Sequence, residues 1–332
     1  MKIKPFPNFD NIIAIAIPFP EFSELITANL YVLGKGPLTL IDTGPKFSGT
    51  LDLVRERITS AGYRMEDIER IIITHGHMDH YGLAAGICQA VGHPVECCVH
   101  ADDKWRVLSE NYQEEIWKDM VRFLEKVDLP QDQYKIVQKR FSRIRTFCDA
   151  LKDVTVLEEG DELVGDNFRL SVIHTPGHTA GSICLYESRQ KILFSGDNMI
   201  KHITPNPLME IRRVRLRDPD YQSLKEYLNS LDKLSQFDVR FVFPGHGEYM
   251  DDLPGMIKSY IKHHRERMNL VWKALKKKSR PLYHLVDDVF PYVPEGDITL
   301  ALSEIIVHLE ILINEGRAEL IDPGPPALYR AL

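Results

Sequence analysis

The sequence has no long apolar run and few cysteines, and both features limit what the protein can be. The longest early apolar stretch covers residues 12–17 and ends in Pro18-Phe19-Pro20, so it is too short for a signal-peptide core or a membrane-spanning helix. The five cysteines are an odd number and include no Cys-x-x-Cys pair. We therefore expect free thiols, a cytoplasmic protein and no membrane partner.

An excess of positive charge is also lacking. The chain has 41 Lys and Arg residues against 48 Asp and Glu residues, a net charge of −7, which disfavours binding nucleic acid over the whole surface. Two segments are exceptions: residues 256–280 hold nine Lys or Arg and one Glu, and a short segment contains Arg212, Arg213, Arg215 and Arg217. Such segments suit a phosphate-bearing substrate, although a solvated helix face with ion pairs is the simpler explanation.

The 332 residues are enough for about two domains. Residues 1–255 alternate short β-branched strands with helices, which is typical of an α+β fold. A charged insertion with helical periodicity interrupts them at about 101–150, and we expect it to cover the functional site. Residues 256–332 predict a long helix, two shorter helices and a hairpin, the order of a small winged-helix domain. We therefore place a domain boundary near residue 255.

The strongest chemical signal follows the predicted strand 68–74. Four side chains that can bind a metal lie within six residues: His75, His77, Asp79 and His80. Crowding such groups at a strand end is costly unless a cation satisfies them. Because alternate residues of an extended segment point the same way, His75 and His77 can share one ion while Asp79 and His80 turn toward a second.

Three further potential ligands each follow an apolar strand and a glycine: His178, Asp197 and His246. Loops that gather at one edge of a sheet are where binding sites are commonly built. Five histidines and two aspartates divide into two sites of three ligands with one bridging carboxylate. That division leaves coordination positions open, which is typical of a catalytic rather than a structural metal site.

These residues resemble the metallo-β-lactamase superfamily, whose signature is His-x-His-x-Asp-His followed by His, Asp and His in later loops. The resemblance covers about residues 10–255 and implies an αββα sandwich with the metals at one edge. It also implies two ligand sets joined by one bridging residue: His75, His77 and His178; Asp79, His80 and His246; and Asp197 between them. Asp42 matches an early aspartate of the superfamily and is expected to orient a ligand histidine.

Departures from other branches narrow this resemblance. The zinc β-lactamases have cysteine at the position of Asp197, and the diiron branch has glutamate at the position of His77, so neither activity is expected. Persulfide dioxygenases use one iron and three protein ligands, which fits the full second set poorly. The C-terminal tail resembles the glyoxalase-II-like or β-lactamase-like-2 branch, some of whose members cleave single-stranded RNA.

The resemblance implies a dinuclear hydrolase in which a metal-bridging hydroxide attacks a small thioester, ester or lactone. The alternative is a metal-dependent endoribonuclease acting on single-stranded RNA. Asp79 is expected to accept the proton of the attacking water, and Asn198 and His202 are candidates for lining the substrate pocket. Zn²⁺ is the expected ion, with iron and manganese as alternatives. The sequence leaves open a homodimer and a winged helix that only packs on the catalytic domain.

Overall fold

The structure is a computed structural model that describes residues 6–7, 9–20, 24–109, 112–210, 218 and 220–332. The basic segment that contains Arg212, Arg213, Arg215 and Arg217 lies outside these residues. Within the described ranges, no helix combines the length and the apolar character that crossing a membrane requires.

Six strands form the first sheet, in the same order as in the chain. They are β1 (Ile12–Pro18), β2 (Thr27–Leu33), β3 (Leu38–Ile41), β4 (Ile68–Ile73), β5 (Glu96–His100) and β6 (Thr155–Leu157). The first three pair antiparallel and the last three extend the sheet in parallel. Parallel neighbours need crossover connections, and α1 (Thr50–Ser60) and α3 (Ala84–Val91) lie in two of them.

Five strands form the second sheet, in the order β11-β10-β9-β8-β7. They are β7 (Glu162–Gly165), β8 (Phe168–His174), β9 (Ile183–Glu187), β10 (Ile192–Gly196) and β11 (Phe241–Pro244). Strands β7 to β10 pair antiparallel, and β11 pairs parallel with β10 after the helix α7 (Ser223–Leu234). The sequence did not predict β7, because its exposed and half-buried residues carry little apolar signal.

The two sheets face each other and the helices cover their outer faces. Along β2, Tyr31 and Leu33 pack toward Phe243 of the second sheet, whereas Leu30 and Val32 pack under α1 and α3. This alternation follows from the two-residue period of a strand. The outer face of the second sheet packs under α7 and the first half of α8 (Leu253–Lys277). The layers are helix, sheet, sheet and helix, which confirms the predicted αββα sandwich.

A separate core joins the insertion to the end of the chain. The insertion helices α5 (Tyr112–Lys126) and α6 (Gln131–Ile144) pack against the second half of α8, α9 (Val286–Val289) and α10 (Ile298–Asn314). The chain ends in the antiparallel hairpin of β12 (Ala318–Asp322) and β13 (Leu328–Ala331). The order of these elements matches the expectation, while the winged-helix assignment, the boundary at 255 and the cover over the site stay predictions.

Candidate metal centre

The seven predicted ligands lie together at one edge of the sandwich. His75 and His77 follow β4, and Asp79 and His80 lie in the short helix α2 (Met78–Tyr81) that comes next. The other three follow strands β8, β10 and β11: His178, Asp197 and His246. Backbone hydrogen bonds connect the two sheets at this edge, because Ile183 N–H donates to Thr74 O at 2.9 Å and Asn29 N–H donates to Gly245 O at 2.7 Å.

Three imidazole nitrogens converge in what we call the three-histidine set. His77 Nδ1 lies 3.0 Å from His75 Nε2 and 3.0 Å from His178 Nε2. The second, carboxylate-containing set is Asp79, His80 and His246. His246 Nε2 lies 3.2 Å from His80 Nε2 and 3.3 Å from Asp79 Oδ2.

Asp197 lies between the two sets and contacts both. Its Oδ2 is 3.5 Å from His178 Nε2 and 3.3 Å from His246 Nε2, and its Oδ1 is 3.3 Å from His80 Nε2. That Oδ1 is buried and makes no hydrogen bond of good geometry with the described residues. A buried carboxylate oxygen without such a bond is costly, and a cation between the sets would satisfy it.

Hydrogen bonds on the outer side of the rings determine which nitrogen faces inward. His178 Nδ1 donates to Asn206 O at 3.0 Å, and His246 Nδ1 donates to Thr27 O at 2.6 Å. A carbonyl oxygen can only accept, so Nδ1 carries the proton in each ring. The lone pair of Nε2 in the neutral ring then points into the site, as a metal ligand requires.

Asp42 performs the same task for two more histidines. Asp42 lies beside β4 and has a positive φ of 58°. Its Oδ2 accepts from His80 Nδ1 at 2.8 Å. The same oxygen accepts from the Thr74 hydroxyl at 2.8 Å. Because that hydroxyl donates to Asp42, it accepts from His75 Nδ1, which lies 3.2 Å away. Asp42 therefore orients His80 directly and His75 through Thr74.

The two sets differ in charge. Burial, followed by the neighbouring histidines, lowers the pKa of His77 to about 3 and that of His75 well below its usual range. Burial also acts to lower the pKa of His80 and His246, but nearby carboxylates outweigh it, and Asp197 contributes most. They hold the pKa of His80 well above its usual range and raise that of His246 to about 9. Burial acts to raise the pKa of Asp79, yet His80 and His246 lower it to about 2.

The donor atoms fit divalent metal ions. In their neutral tautomers, His80 and His246 point two lone pairs at each other across 3.2 Å, so a proton or a metal ion has to lie between them. In the three-histidine set, the single proton of His77 can serve only one of its two imidazole neighbours. Imidazole and carboxylate donors suit zinc, iron and manganese alike.

A buried aspartate that the sequence analysis missed supports the loop of His75 and His77. Asp103, which precedes α4 (Lys104–Leu108), accepts from Gly76 N–H at 2.6 Å and from the Thr179 hydroxyl at 2.7 Å. Asp103 thus connects the loop of His75 and His77 to the loop of His178. Its position after β5, at the same sheet edge, is the one sequence feature that could have indicated this role.

Arg106 continues that support toward the loop of His178. Its Nε donates to Asp103 Oδ1 at 3.0 Å, and its Nη2 donates to both carboxylate oxygens of Glu210 at 2.7 and 2.6 Å. Glu210 also accepts from Ala180 N–H at 2.9 Å. We call Asp103, Arg106 and Glu210 the buried ion-pair network. Glu210 lies 104 positions from Arg106 in the sequence, and no local motif marks either residue.

The two residues predicted to line the substrate pocket differ in exposure and in their hydrogen-bond partners. Asn198 is 1% exposed, its amide donates to Thr175 Oγ1 at 2.8 Å, and its backbone carbonyl accepts from Tyr227 OH. These contacts hold Asn198 in place, and its contact with substrate stays a prediction. His202 is exposed, and its Nε2 donates to Glu24 O at 2.6 Å.

One more group of potential ligands, His100, Asp102 and His174, lies near the site. The two rings stack with centroids 3.9 Å apart and planes inclined by 13°. An imidazole binds a metal in its own plane, and two nearly parallel planes share no such position. This arrangement therefore does not fit a metal ion.

Comparisons with known proteins agree with this geometry. Residues 25–246 match the family described as the metallo-beta-lactamase superfamily. The chain is 28% identical to the "Probable metallo-hydrolase YqjP" of Bacillus subtilis, over 92% of this chain and 93% of that protein. It is 26% identical to the "Beta-lactamase-like protein 2 homolog" of Caenorhabditis elegans, over 88% and 80% of the two chains. Among solved structures, a metallo-beta-lactamase family protein from Thermus thermophilus has a TM-score of 0.80 at 24% identity, covering 98% of this chain and 99% of that one.

Proposed function

The chain belongs to the metallo-beta-lactamase superfamily and is a metallo-hydrolase, and on that basis we propose that it is a dinuclear enzyme that cleaves a small thioester, ester or lactone. One observation carries the proposal: five imidazoles and two carboxylates converge on two sets of donors that share Asp197. Outward hydrogen bonds on four of the histidines favour inward lone pairs.

The two sets supply three donors each. His75, His77 and His178 would hold the first ion, and Asp79, His80 and His246 would hold the second, with Asp197 as the shared ligand. The low pKa values of the three-histidine set favour neutral, metal-competent rings. Asp42 would keep His80 and His75 in the required tautomers.

When bound, two divalent ions would lower the pKa of a bound water molecule toward neutrality and would supply positive charge for a developing oxyanion. The chain itself needs to accept a proton and exclude bulk water. Asp79 is ionised, because its pKa is lowered to about 2, and we assign it the proton-accepting role. Most of the converging side chains are buried and His77 is half-buried, which suits a small substrate.

An endoribonuclease acting on single-stranded RNA is the second candidate. The basic segment 256–280 favours it, and Lys258 and Arg265 in that segment are exposed. Other charges there are engaged in ion pairs: Arg267 contacts Glu304 at 2.7 Å, and Lys277 and Arg280 contact Asp288 at 3.0 and 2.9 Å. The charge available to RNA phosphates is therefore smaller than the composition of the segment indicates, so we prefer the small substrate.

Further parts of the proposal rest on general chemistry. We propose Zn²⁺ as the ion, with iron and manganese as alternatives, because the nitrogen and oxygen donors suit all three. We propose a cytoplasmic location, because the cysteines are free thiols: Cys88, Cys97, Cys98, Cys148 and Cys184. We also propose that residues 256–332 form a winged-helix unit that packs on the catalytic domain, and that the protein forms a homodimer.

Metal analysis combined with two substrate panels tests the function. We expect about two divalent ions per chain in the purified protein and hydrolysis of at least one thioester, ester or lactone. His77→Ala is expected to lower turnover by about 10²-fold or more and to reduce the metal content to about one ion. The matched control is His284→Ala, which removes an exposed histidine that lies outside the site.

Three results would contradict the proposal in different ways. Cleavage of single-stranded RNA without any small-ester hydrolysis would favour the second candidate. One iron per chain would contradict the dinuclear hydrolase. Equal turnover in His77→Ala and the parent protein would show that the converging side chains are not the catalytic site.

A further inference from the structure

A cavity of about 670 Å³ lies between the end of α7, the segment after it and the first half of α8. Its volume falls in the range of small-molecule sites. The apolar part of its lining comes from six residues: Phe237, Val239, Leu253, Pro254, Ile257 and Ile261. None of them belongs to the metal centre or to the groups that orient its histidines, so the cavity is a separate feature.

Three cations lie along one side of this apolar lining. Lys258, Lys262 and Arg265 also line the cavity, and their spacing of four and three residues places them on one face of α8. All three are exposed. Lys262 has Glu266 at 3.8 Å, but both side chains are largely exposed, and such a surface pair contributes little.

Negative charge is scarce at the same place. The one acidic residue in the lining, Asp238, is paired with Lys191. Among the described residues, Lys258 and Arg265 have no carboxylate partner within 4 Å. The cavity therefore combines an apolar interior with an edge of uncompensated positive charge.

We infer that this cavity binds an amphipathic anion, a small molecule with an apolar chain or ring and a single carboxylate or phosphate group. The chain or ring would bury apolar surface against Phe237 and Ile261, which stabilises a complex in proportion to the area removed from water. The anionic group would contact Lys258 and Arg265 through charge-assisted hydrogen bonds. A neutral apolar molecule would use only the first contribution, and a small inorganic anion only the second.

Calorimetric titration of the metal-loaded, full-length protein tests this inference. The probes are decanoate and decyl phosphate, both below their micelle concentrations, with decanol and acetate as the neutral and the short-chain comparisons. We expect saturable one-to-one binding of at least one decyl anion. Decanol and acetate should each bind at least about tenfold more weakly than that anion, because each lacks one of the two contributions. The preferred head group then distinguishes carboxylate from phosphate.

Variants assign the binding to the cavity. Lys258→Glu combined with Arg265→Glu should weaken anion binding at least about tenfold, since it removes two charge-assisted contacts. Ile261→Trp should abolish binding by filling the apolar space, and Val239→Phe provides a second filled variant if the first folds poorly. The control is Lys273→Glu, which reverses an exposed charge on the same helix outside the lining and should bind normally.

The inference fails if the parent protein binds neither decyl anion, or if the charge-reversed and filled variants bind as the parent does. Binding that persists in the filled variants but disappears when metals are removed would place the anion at the metal centre and would also overturn it. A loss of hydrolase activity in His77→Ala has no bearing on this test, because the cavity and the metal centre share no residue.

Discussion

The candidate metal centre has two halves, the three-histidine set and the carboxylate-containing set, and the fold controls the protonation of their side chains by different physical means. The three-histidine set is kept neutral by burial, which lowers the pKa of His77 to about 3. In the carboxylate-containing set, burial acts to lower the pKa of His246, but Asp197 and Asp79 outweigh it and raise that pKa to about 9. The first set therefore presents lone pairs without a competing proton, whereas the second would have to release protons to bind a cation, and its metal affinity would then depend on pH.

The halves also differ in how they are supported. The loops of His77 and His178 depend on the buried ion-pair network, which reaches Gly76 and Ala180 through side chains. The loop of His246 depends on neutral hydrogen bonds from β2: the carbonyl and hydroxyl of Thr27 accept from His246 Nδ1 and Gly247 N–H, and the Asn29 amide donates to Gly247 O. Leaving a buried charge without its partner is costlier than losing a neutral hydrogen bond. We therefore expect the first half to be the more sensitive to changes outside the ligands.

Removing the shared ligand should produce the largest effect. Asp197→Ala takes away the carboxylate that contacts both sets, so we expect loss of both ions and a fall in turnover of at least about 10³-fold, since the metal pair contributes several kcal/mol and about 1.4 kcal/mol is a factor of ten. Elemental analysis and steady-state kinetics measure these changes. Asp251→Ala, at an exposed aspartate, is the control, and a variant that keeps two ions would disprove the bridging role.

Removing one ligand from each half should have a smaller effect and should separate the halves. We expect His77→Ala to lose the first ion and His246→Ala to lose the second, each with a fall in turnover of about 10²-fold or more, consistent with the electrostatic contribution of one metal ion. Metal titration with a cobalt or zinc indicator would detect the remaining ion. If both variants lost the same ion, the assignment of His77 and His246 to different halves would be wrong.

Much of the architecture and the ligand set could be anticipated because their signals are local. A β-branched run followed by His75-Gly76-His77 indicates a strand end and a metal site within a few residues. The positions of Asp197 and His246 share the same pattern of apolar strand, glycine and ligand. Strand β7 was not predicted because its four residues alternate between exposed and half-buried, with Val164 exposed, and so carry little apolar signal.

The supports of the ligands could not be anticipated because they depend on the completed fold. Arg106 and Glu210 are 104 positions apart, and nothing in either segment indicates the other. Thr27 and Asn206 orient histidines through backbone carbonyls, which every residue has. The amide of Asn198 donates to Thr175 Oγ1, a contact that the local sequence around Asp197 does not indicate.

Breaking the buried ion-pair network should affect the first half selectively. Arg106→Met leaves Asp103 and Glu210 buried without their cation, so we expect a loss of stability of about 3–5 kcal/mol and a reduction in affinity for the first ion of about 10- to 100-fold. Chemical denaturation and metal titration measure the two effects. The triple variant with Asp103→Asn and Glu210→Gln should recover much of the stability. An equal loss of affinity for both ions would mean that the network supports both halves of the centre.

The smallest effect is expected at Thr74, and it tests whether Asp42 acts on both halves. Thr74→Val keeps the size of the side chain but removes the hydroxyl that accepts from His75 Nδ1 and donates to Asp42. His80 keeps its direct bond to Asp42, so only the first ion should bind more weakly, by about tenfold, the lower end of the effects known for groups that orient metal ligands. Thr74→Ser retains the hydroxyl and should bind both ions as the parent does. Weakened binding of the second ion in Thr74→Val would show that the hydroxyl stabilises Asp42 itself, and the halves would then share a support as well as a ligand.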